Sequence, residues 1–130
     1  MPSIRILSNP FPAETKEALA RTLSADLKRV LKVPVIEVYF QETDVFYVLT
    51  NKFTIHDGSV EPGSVTMIIN GPVREQAVLQ EVCEALTSGF RQTLGKPDFE
   101  VITVYHDIDG DFIGSNGTIL SLRGGRNTAV

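Results

Sequence analysis

The strongest constraint on this chain is that it repeats itself. Shifting the first half by 63 residues sets Ile4 on Met67, Ile6 on Ile69, Leu23 on Leu86, Leu31 on Leu94, Pro34 on Pro97, Glu37 on Glu100, Val38 on Val101 and Asp44 on Asp107, without a gap. Apolar positions often coincide by chance. The Leu-x-x-Pro-x-x-Glu-Val spacing that starts at both Leu31 and Leu94 is harder to assign to chance. A repeat of this length is one supersecondary unit used twice.

Periodicity gives the content of each copy. Ile4 and Ile6 alternate with Ser3 and Arg5, as in a short strand. Asn9-Pro10-Phe11-Pro12 breaks the chain. Leu19, Leu23, Leu27 and Leu31 then recur at every fourth residue, with Ala20 and Val30 beside them. That spacing predicts an amphipathic helix from about Ala13 to Leu31. Lys32-Val33-Pro34 stops it, because the residue before a proline is driven out of helical conformation. Val35 to Phe40 reads as a strand, and Val45 to Leu49 as a further strand or strand extension. Asp57-Gly58 to Pro62-Gly63 has the residues of turns. In the second copy Val65, Met67 and Ile69 alternate as a strand, and Asn70-Gly71-Pro72 ends it. Pro72 suits the first turn of a helix, and Leu79, Val82, Leu86, Phe90 and Leu94 form its apolar stripe. Cys83 falls on that stripe as a core thiol. Gly95-Lys96-Pro97 ends the helix, and Phe99 to His106 is the last strand.

Two such units predict an α/β (α+β) fold within one domain over residues 1–130, with repeat units at about 2–50 and 64–117. The expected architecture is a tandem β-α-β repeat forming a four-stranded, mainly parallel sheet, with right-handed crossovers and both helices on one face. The strands are apolar on both sides. Ile36, Val38 and Phe40 face one way, Val35 and Tyr39 the other; Phe99, Val101 and Tyr105 oppose Ile102 and Val104. Two helices cover one face only, so the other face is expected to lie against another subunit.

Composition narrows the function. The formal net charge is -4, which argues against a nucleic-acid partner, since such proteins present a basic face. Arg123-Gly124-Gly125-Arg126 is the one basic cluster. No apolar run is long enough to span a membrane, and Met1-Pro2-Ser3-Ile4-Arg5-Ile6-Leu7 does not read as a signal peptide. With a single cysteine, the expected location is the cytoplasm. Asn116-Gly117-Thr118, a glycosylation pattern, then carries no meaning.

Pro2 is the foremost chemical candidate. If Met1 is removed, Pro2 carries a free secondary amine, able to serve as base or nucleophile without a cofactor. Asp107-Ile108-Asp109-Gly110-Asp111 resembles half an EF-hand loop, but its glycine is displaced and Thr118 stands where a bidentate glutamate belongs, so a solvated turn is expected. His56-Asp57 and His106-Asp107 have no metal-ligand spacing. No metal and no cofactor is expected, and no Cys-x-x-Cys, phosphate loop or Gly-x-Ser-x-Gly is present.

Proline after the initiator, a β-α-β unit of this size and its tandem duplicate resemble the tautomerase superfamily, in its macrophage migration inhibitory factor-like form. The resemblance covers about residues 2–117. Val101-Ile102-Thr103-Val104-Tyr105-His106-Asp107, continuing to Phe112-Ile113-Gly114-Ser115-Asn116, is similar in spacing to that factor's last strand and its following Val-Gly-Trp-Asn loop. Lys32 before Pro34 is similar to the lysine that ends its first helix. The Val45–Leu49 run and the arginine-containing tail suggest a divergent bacterial branch.

The resemblance implies a homotrimer with sites at subunit boundaries, each using an amino-terminal proline as general base on a small keto or enol acid. The site would include Pro2, Lys32 and the backbone near Ile68, beside the proline. Other branches hold substrate carboxylates with arginines at the start of the second helix, where Arg74 stands. The cation for a developing enolate is then Lys32, Arg5 or Arg74. The family's tyrosine and asparagine on the last strand fall here on Ile102 and Val104, and the loop tryptophan on Ser115. Ile68, Ile102 and Val104 would surround the amine with apolar groups and favour its neutral form. The missing tyrosine and asparagine support an alternative, a non-catalytic trimeric interaction protein that keeps the fold.

Overall fold

The structure is a computed structural model that describes residues 2–123. Met1 and the Gly124–Arg126 part of the basic cluster lie outside the described residues. Strand β1 (Ser3–Ser8) leads to helix α1 (Ala13–Leu31), strand β2 (Glu37–Glu42) and a hairpin of β3 (Val45–Leu49) and β4 (Phe53–Asp57). The second copy runs through β5 (Ser64–Gly71), α2 (Gln76–Leu94) and β6 (Glu100–Asp107), then a short ribbon of β7 (Gly114–Ser115) and β8 (Thr118–Ile119). Single 3₁₀ turns at Gly110–Phe112 and Leu120–Leu122 flank that ribbon. Both long helices have 19 residues and start 63 residues apart, as the repeat requires.

Four strands form one sheet in the order β2-β1-β5-β6. The outer pairs, β1 with β2 and β5 with β6, are parallel; the central pair is antiparallel. Parallel pairing sets Ser3 opposite Glu37 in the first unit and Ser64 opposite Glu100 in the second. The second unit is therefore slid by two residues relative to the repeat, a step that leaves every side chain on its own face.

One face of the sheet and the two helices make the core. Ile4, Ile6, Met67 and Ile69 point to the helices from the central strands and are 0% exposed. Leu19, Leu23, Leu27 and Leu31 of α1 and Val82, Leu86 and Phe90 of α2 close over them. The opposite face is open. On it Tyr39 is 49% exposed, Ile102 54% and Val104 38%. No helix among the described residues is long and apolar enough to cross a membrane.

Three expectations change, and one strand is added. The second helix starts at Gln76, so Pro72 precedes it and is buried instead in the loop that follows β5. Cys83 is exposed, because the buried stripe is centred on Val82, Leu86, Gly89 and Phe90 and Cys83 falls on its flank. The strand expected from Val35 starts at Glu37, where the ladder with Ser3 begins. Finally, Phe53–Asp57 is a strand, paired residue for residue with Val45–Leu49.

Asn9 holds that hairpin to the sheet. It is 2% exposed, and its Nδ2 donates to the carbonyls of Thr43 at 3.0 Å, His56 at 3.2 Å and Asp44 at 3.4 Å. Nearby, the Glu42 carboxylate accepts from the Phe11 amide at 2.7 Å and from Lys16 at 3.0 Å. Replacing Asn9 by alanine leaves the three carbonyls without this donor. We expect Asn9→Ala to cost about 1–3 kcal/mol in urea unfolding, the penalty for stranding buried polar groups.

Candidate functional site

The antiparallel pairing of β1 and β5 decides which residues meet Pro2. Ser3 pairs with Asn70, so the head of β1 lies beside the tail of β5. The same end receives the C-terminus of α1, the loop into α2 and the tail of β6, where Asn70 pairs with His106 and Gly71 with Asp107. Pro2 is buried there, and its carbonyl accepts from the Glu37 amide at 3.1 Å. Lys32 caps α1 in the left-handed conformation at φ 57°, with its N–H donating to the Lys28 carbonyl at 2.8 Å. Its side chain is exposed.

Arg74 sits two residues ahead of α2, outside the helix, with exposed Glu75 at the cap position. Its Nη2 donates to the Leu31 carbonyl at 2.9 Å and its Nη1 to the Val73 carbonyl at 3.0 Å. Arg74 thus fastens the end of α1, next to Lys32, to the loop after β5. Pro2, Lys32 and Arg74 share one end of the sheet.

Tyr105 was legible only as a strand residue, yet it organises this end. Its hydroxyl donates to the Pro72 carbonyl at 2.6 Å. It also occupies the space that any Cβ on Gly71 would need, which is why a glycine stands there. Burial pushes the phenol up from 10.0 to about 12, with Arg74 opposing the shift and Asp107 adding to it. The Gly-Pro pair at the end of β5 is the sequence signal for a close approach at this point.

The other expected site residues are separate from Pro2 within one protomer. Ile68 pairs with Arg5, three strand positions from Pro2, about 10 Å along the strand. The backbone beside the head of β1 is that of Asn70 and Gly71 instead. Tyr39, Arg5, Ile68 and Val104 form one row across the open face, and Gln41, Leu7, Thr66 and Ile102 the next. Arg5 donates from Nε to Gln41 Oε1 at 3.0 Å. Ile102 and Val104 lie on β6, with β5 between them and β1. Several hollows lie elsewhere among the described residues. An open one of about 710 Å³ runs beside Cys83 and Arg91 of α2 and Pro97 in the loop after it, toward the other end of the molecule. Two smaller ones lie beneath the β3–β4 hairpin.

Of the metal candidates, His56 is stacked on Phe46 with ring centroids 4.5 Å apart. Asp109 accepts from the Asp111 amide at 2.9 Å and caps the short turn that follows. Among the described residues, no three His, Cys, Asp or Glu side chains are grouped to hold a metal.

This arrangement of strands and helices recurs in solved structures. Pt0534, in a crystal structure of the protein inactivated by 2-oxo-3-pentynoate, matches with a TM-score of 0.76 at 21% identity, over 95% of this chain and 99% of that one. F6 fused 4-OT, an asymmetric trimer, matches with a TM-score of 0.75 at 15% identity, over 94% of this chain and 98% of that one. The macrophage migration inhibitory factor of Toxoplasma gondii gives 0.68 at 13% identity, over 89% and 97%. The chain has the tautomerase fold. No family model and no curated protein matches the sequence, so the likeness is one of fold. In this tautomerase fold, Pro2 holds the head of the first central strand.

The Tyr105 shift has a consequence for stability. The folded phenol keeps its proton to higher pH than the unfolded one. Its contribution is therefore complete below pH 10.0 and is lost as pH rises toward about 12. We expect Tyr105 to ionise last in a near-ultraviolet titration of the folded protein, in a phase near about pH 12. Tyr105→Phe should remove that phase and flatten the alkaline fall in stability.

Proposed function

We propose that this chain is a cofactor-free tautomerase- or isomerase-like protein, acting as a homotrimer on a small keto or enol acid, with Pro2 as general base once Met1 is removed. The observation that carries this reading is the burial of Pro2 at the head of β1 in a tautomerase fold, at the end of the sheet that Lys32 and Arg74 share. A neutral proline amine takes a proton from the carbon beside a carbonyl and returns it at another carbon of the same molecule, so nothing is consumed. Burial favours that neutral amine over the ammonium. Between the two transfers the enolate needs a cation, for which Lys32, exposed at the helix end, is the first choice. Arg74 sets the position of Lys32 through Leu31 and keeps donor capacity for a carboxylate.

Several observations support the class and the assembly. Pt0534 is inactivated by a 2-oxo acid. The fused 4-OT proteins F6, R7 and Q0 are trimers. The open sheet face and the outer face of the hairpin together present Ile102, Val104, Tyr47, Leu49, Phe53 and Ile55 to solvent. In a trimer, Ile102 and Val104 would approach Pro2 from a neighbouring subunit and surround its amine with hydrocarbon. Light scattering in dilute buffer should give three times the 14.3 kDa subunit. A stable monomer would sink both the assembly and the shared site.

A second reading is a trimeric interaction protein without catalysis. Ile102 and Val104, at the positions of the family's tyrosine and asparagine, offer no side-chain hydrogen bond, and this favours it. One comparison separates the two: protein trimmed of Met1 against untrimmed protein on a single enolisable keto acid. Retained Met1 turns the Pro2 nitrogen into an amide without basicity, so activity should vanish. Pro2→Ala, with a primary amine, should retain part of it. Equal rates for trimmed and untrimmed protein would remove Pro2 from the mechanism.

A further inference from the structure

The loop that joins β5 to α2 carries Arg74 and has no backbone support of its own. Among the described residues, Pro72, Val73 and Arg74 take part in no backbone–backbone hydrogen bond. Flanking bonds stop at Gly71, whose carbonyl accepts from the Ile108 amide at 2.7 Å, and resume at Glu75. Two side chains hold the segment between. Tyr105 donates to the Pro72 carbonyl at 2.6 Å, and Arg74 ties the Val73 carbonyl to that of Leu31, at 3.0 and 2.9 Å.

The repeat shows what is particular to this loop. Shifted by 63 residues, Tyr105 corresponds to Glu42 and Arg74 to Phe11. Glu42 also reaches the loop that enters its helix, where it accepts from the Phe11 amide at 2.7 Å. Each unit therefore latches that loop from its second long strand. In the first unit the loop carries Phe11, a core residue packed on Phe90 and Phe99. In the second it carries a half-buried cation. Two of the five guanidinium N–H groups are spent on carbonyls, and three remain for a ligand.

We propose that Tyr105 is a positioning residue for carboxylate capture by Arg74, the ligand being a 2-oxo acid. Through the Pro72 carbonyl, Tyr105 fixes the segment on which Arg74 stands. The spare N–H groups are then held as a fork that matches the two oxygens of a carboxylate. On an unlatched loop the ligand itself would have to order the guanidinium, at a cost in affinity. Gly71 belongs to the same device, because a side chain there would take the space of the phenol. Tyr105 acts only through the loop, since its hydroxyl is spent on Pro72. The proposal rests on the reading of the Pro2 end as a site for a keto acid, and its test separates the two.

The test is an NMR titration of the full chain, trimmed of Met1, with pyruvate and, separately, with neutral pyruvamide. In the free protein the Arg74 Nη protons should already be resolved, unlike those of exposed Arg21. Pyruvate should shift them saturably, and pyruvamide should bind at least about tenfold more weakly. Tyr105→Phe should weaken pyruvate about tenfold. In an Arg74→Lys background, which lacks the fork, the same change should cost less than about twofold. A tyrosine with a merely structural part would cost the same in both backgrounds. If circular dichroism shows Tyr105→Phe unfolded, the Arg74 signals of the free parent protein decide. Four results would each overturn the proposal: averaged Arg74 signals in the free protein, no saturable pyruvate binding, equal binding of pyruvamide, or the same effect of Tyr105→Phe in both backgrounds. Binding with the expected pattern, but no turnover of a keto acid, would remove the catalytic reading and leave this one standing.

Discussion

The antiparallel contact between β1 and β5 is the interaction on which the rest of the molecule depends. Each β-α-β unit has one helix and two strands, too little to enclose its own apolar face. The register that sets Ile4 against Ile69 and Ile6 against Met67 joins the two units and places four fully buried side chains beneath both helices. Burial of this kind stabilises by about 1.5–3 kcal/mol for each large aliphatic side chain, so the seam is the core. Its direction matters as much as its burial. An antiparallel seam brings the head of β1 to the tail of β5, and thus Pro2 to the loop of Pro72 and Arg74. A parallel one would have set Pro2 at the head of β5, where Gly63 stands.

Packing at that end is governed by backbone groups that need partners. The C-terminus of α1 leaves carbonyls open, and Arg74 satisfies the one on Leu31. The loop after β5 leaves the Pro72 carbonyl open, and the Tyr105 hydroxyl satisfies it. Gly71 makes room for the phenol. The residues around Pro2 are therefore fixed by structural hydrogen bonds, while the Lys32 side chain remains exposed. The opposite end is fixed in a different manner, through Asn9 and the hairpin.

The legible and illegible parts of the fold differ in the range of the forces that set them. The first helix agrees with its leucine spacing at both ends, Ala13 and Leu31, because proline and a left-handed cap residue delimit it locally. The second helix begins later than Pro72 suggests, since the Pro72 carbonyl is engaged by Tyr105, a residue 33 positions away. The strand at Phe53–Asp57 alternates apolar and polar residues, but its apolar side faces outward, with Phe53 63% and Ile55 60% exposed. Burial gives it no protomer signature; its pairing with β3 does. Cys83 was misplaced for a related reason: helical spacing gives a stripe, whereas the partner surface decides how wide the stripe is.

The sequence by itself determined the repeat, the two amphipathic helices, the strands that face them and the candidate residues Pro2, Lys32 and Arg74. All of these are written in short-range periodicity, in turn chemistry or in resemblance along the chain. Only the tertiary structure decided which end of the sheet each residue occupies. It moved Ile68 to the row of Arg5 and made Tyr105 and Gly71 a matched pair. It also separated Ile102 and Val104 from Pro2 by an intervening strand. The reason is physical. Alternation in a strand fixes the face a side chain occupies, but the direction and register of pairing between distant segments fix its neighbours, and those come from the joint burial of residues far apart in sequence.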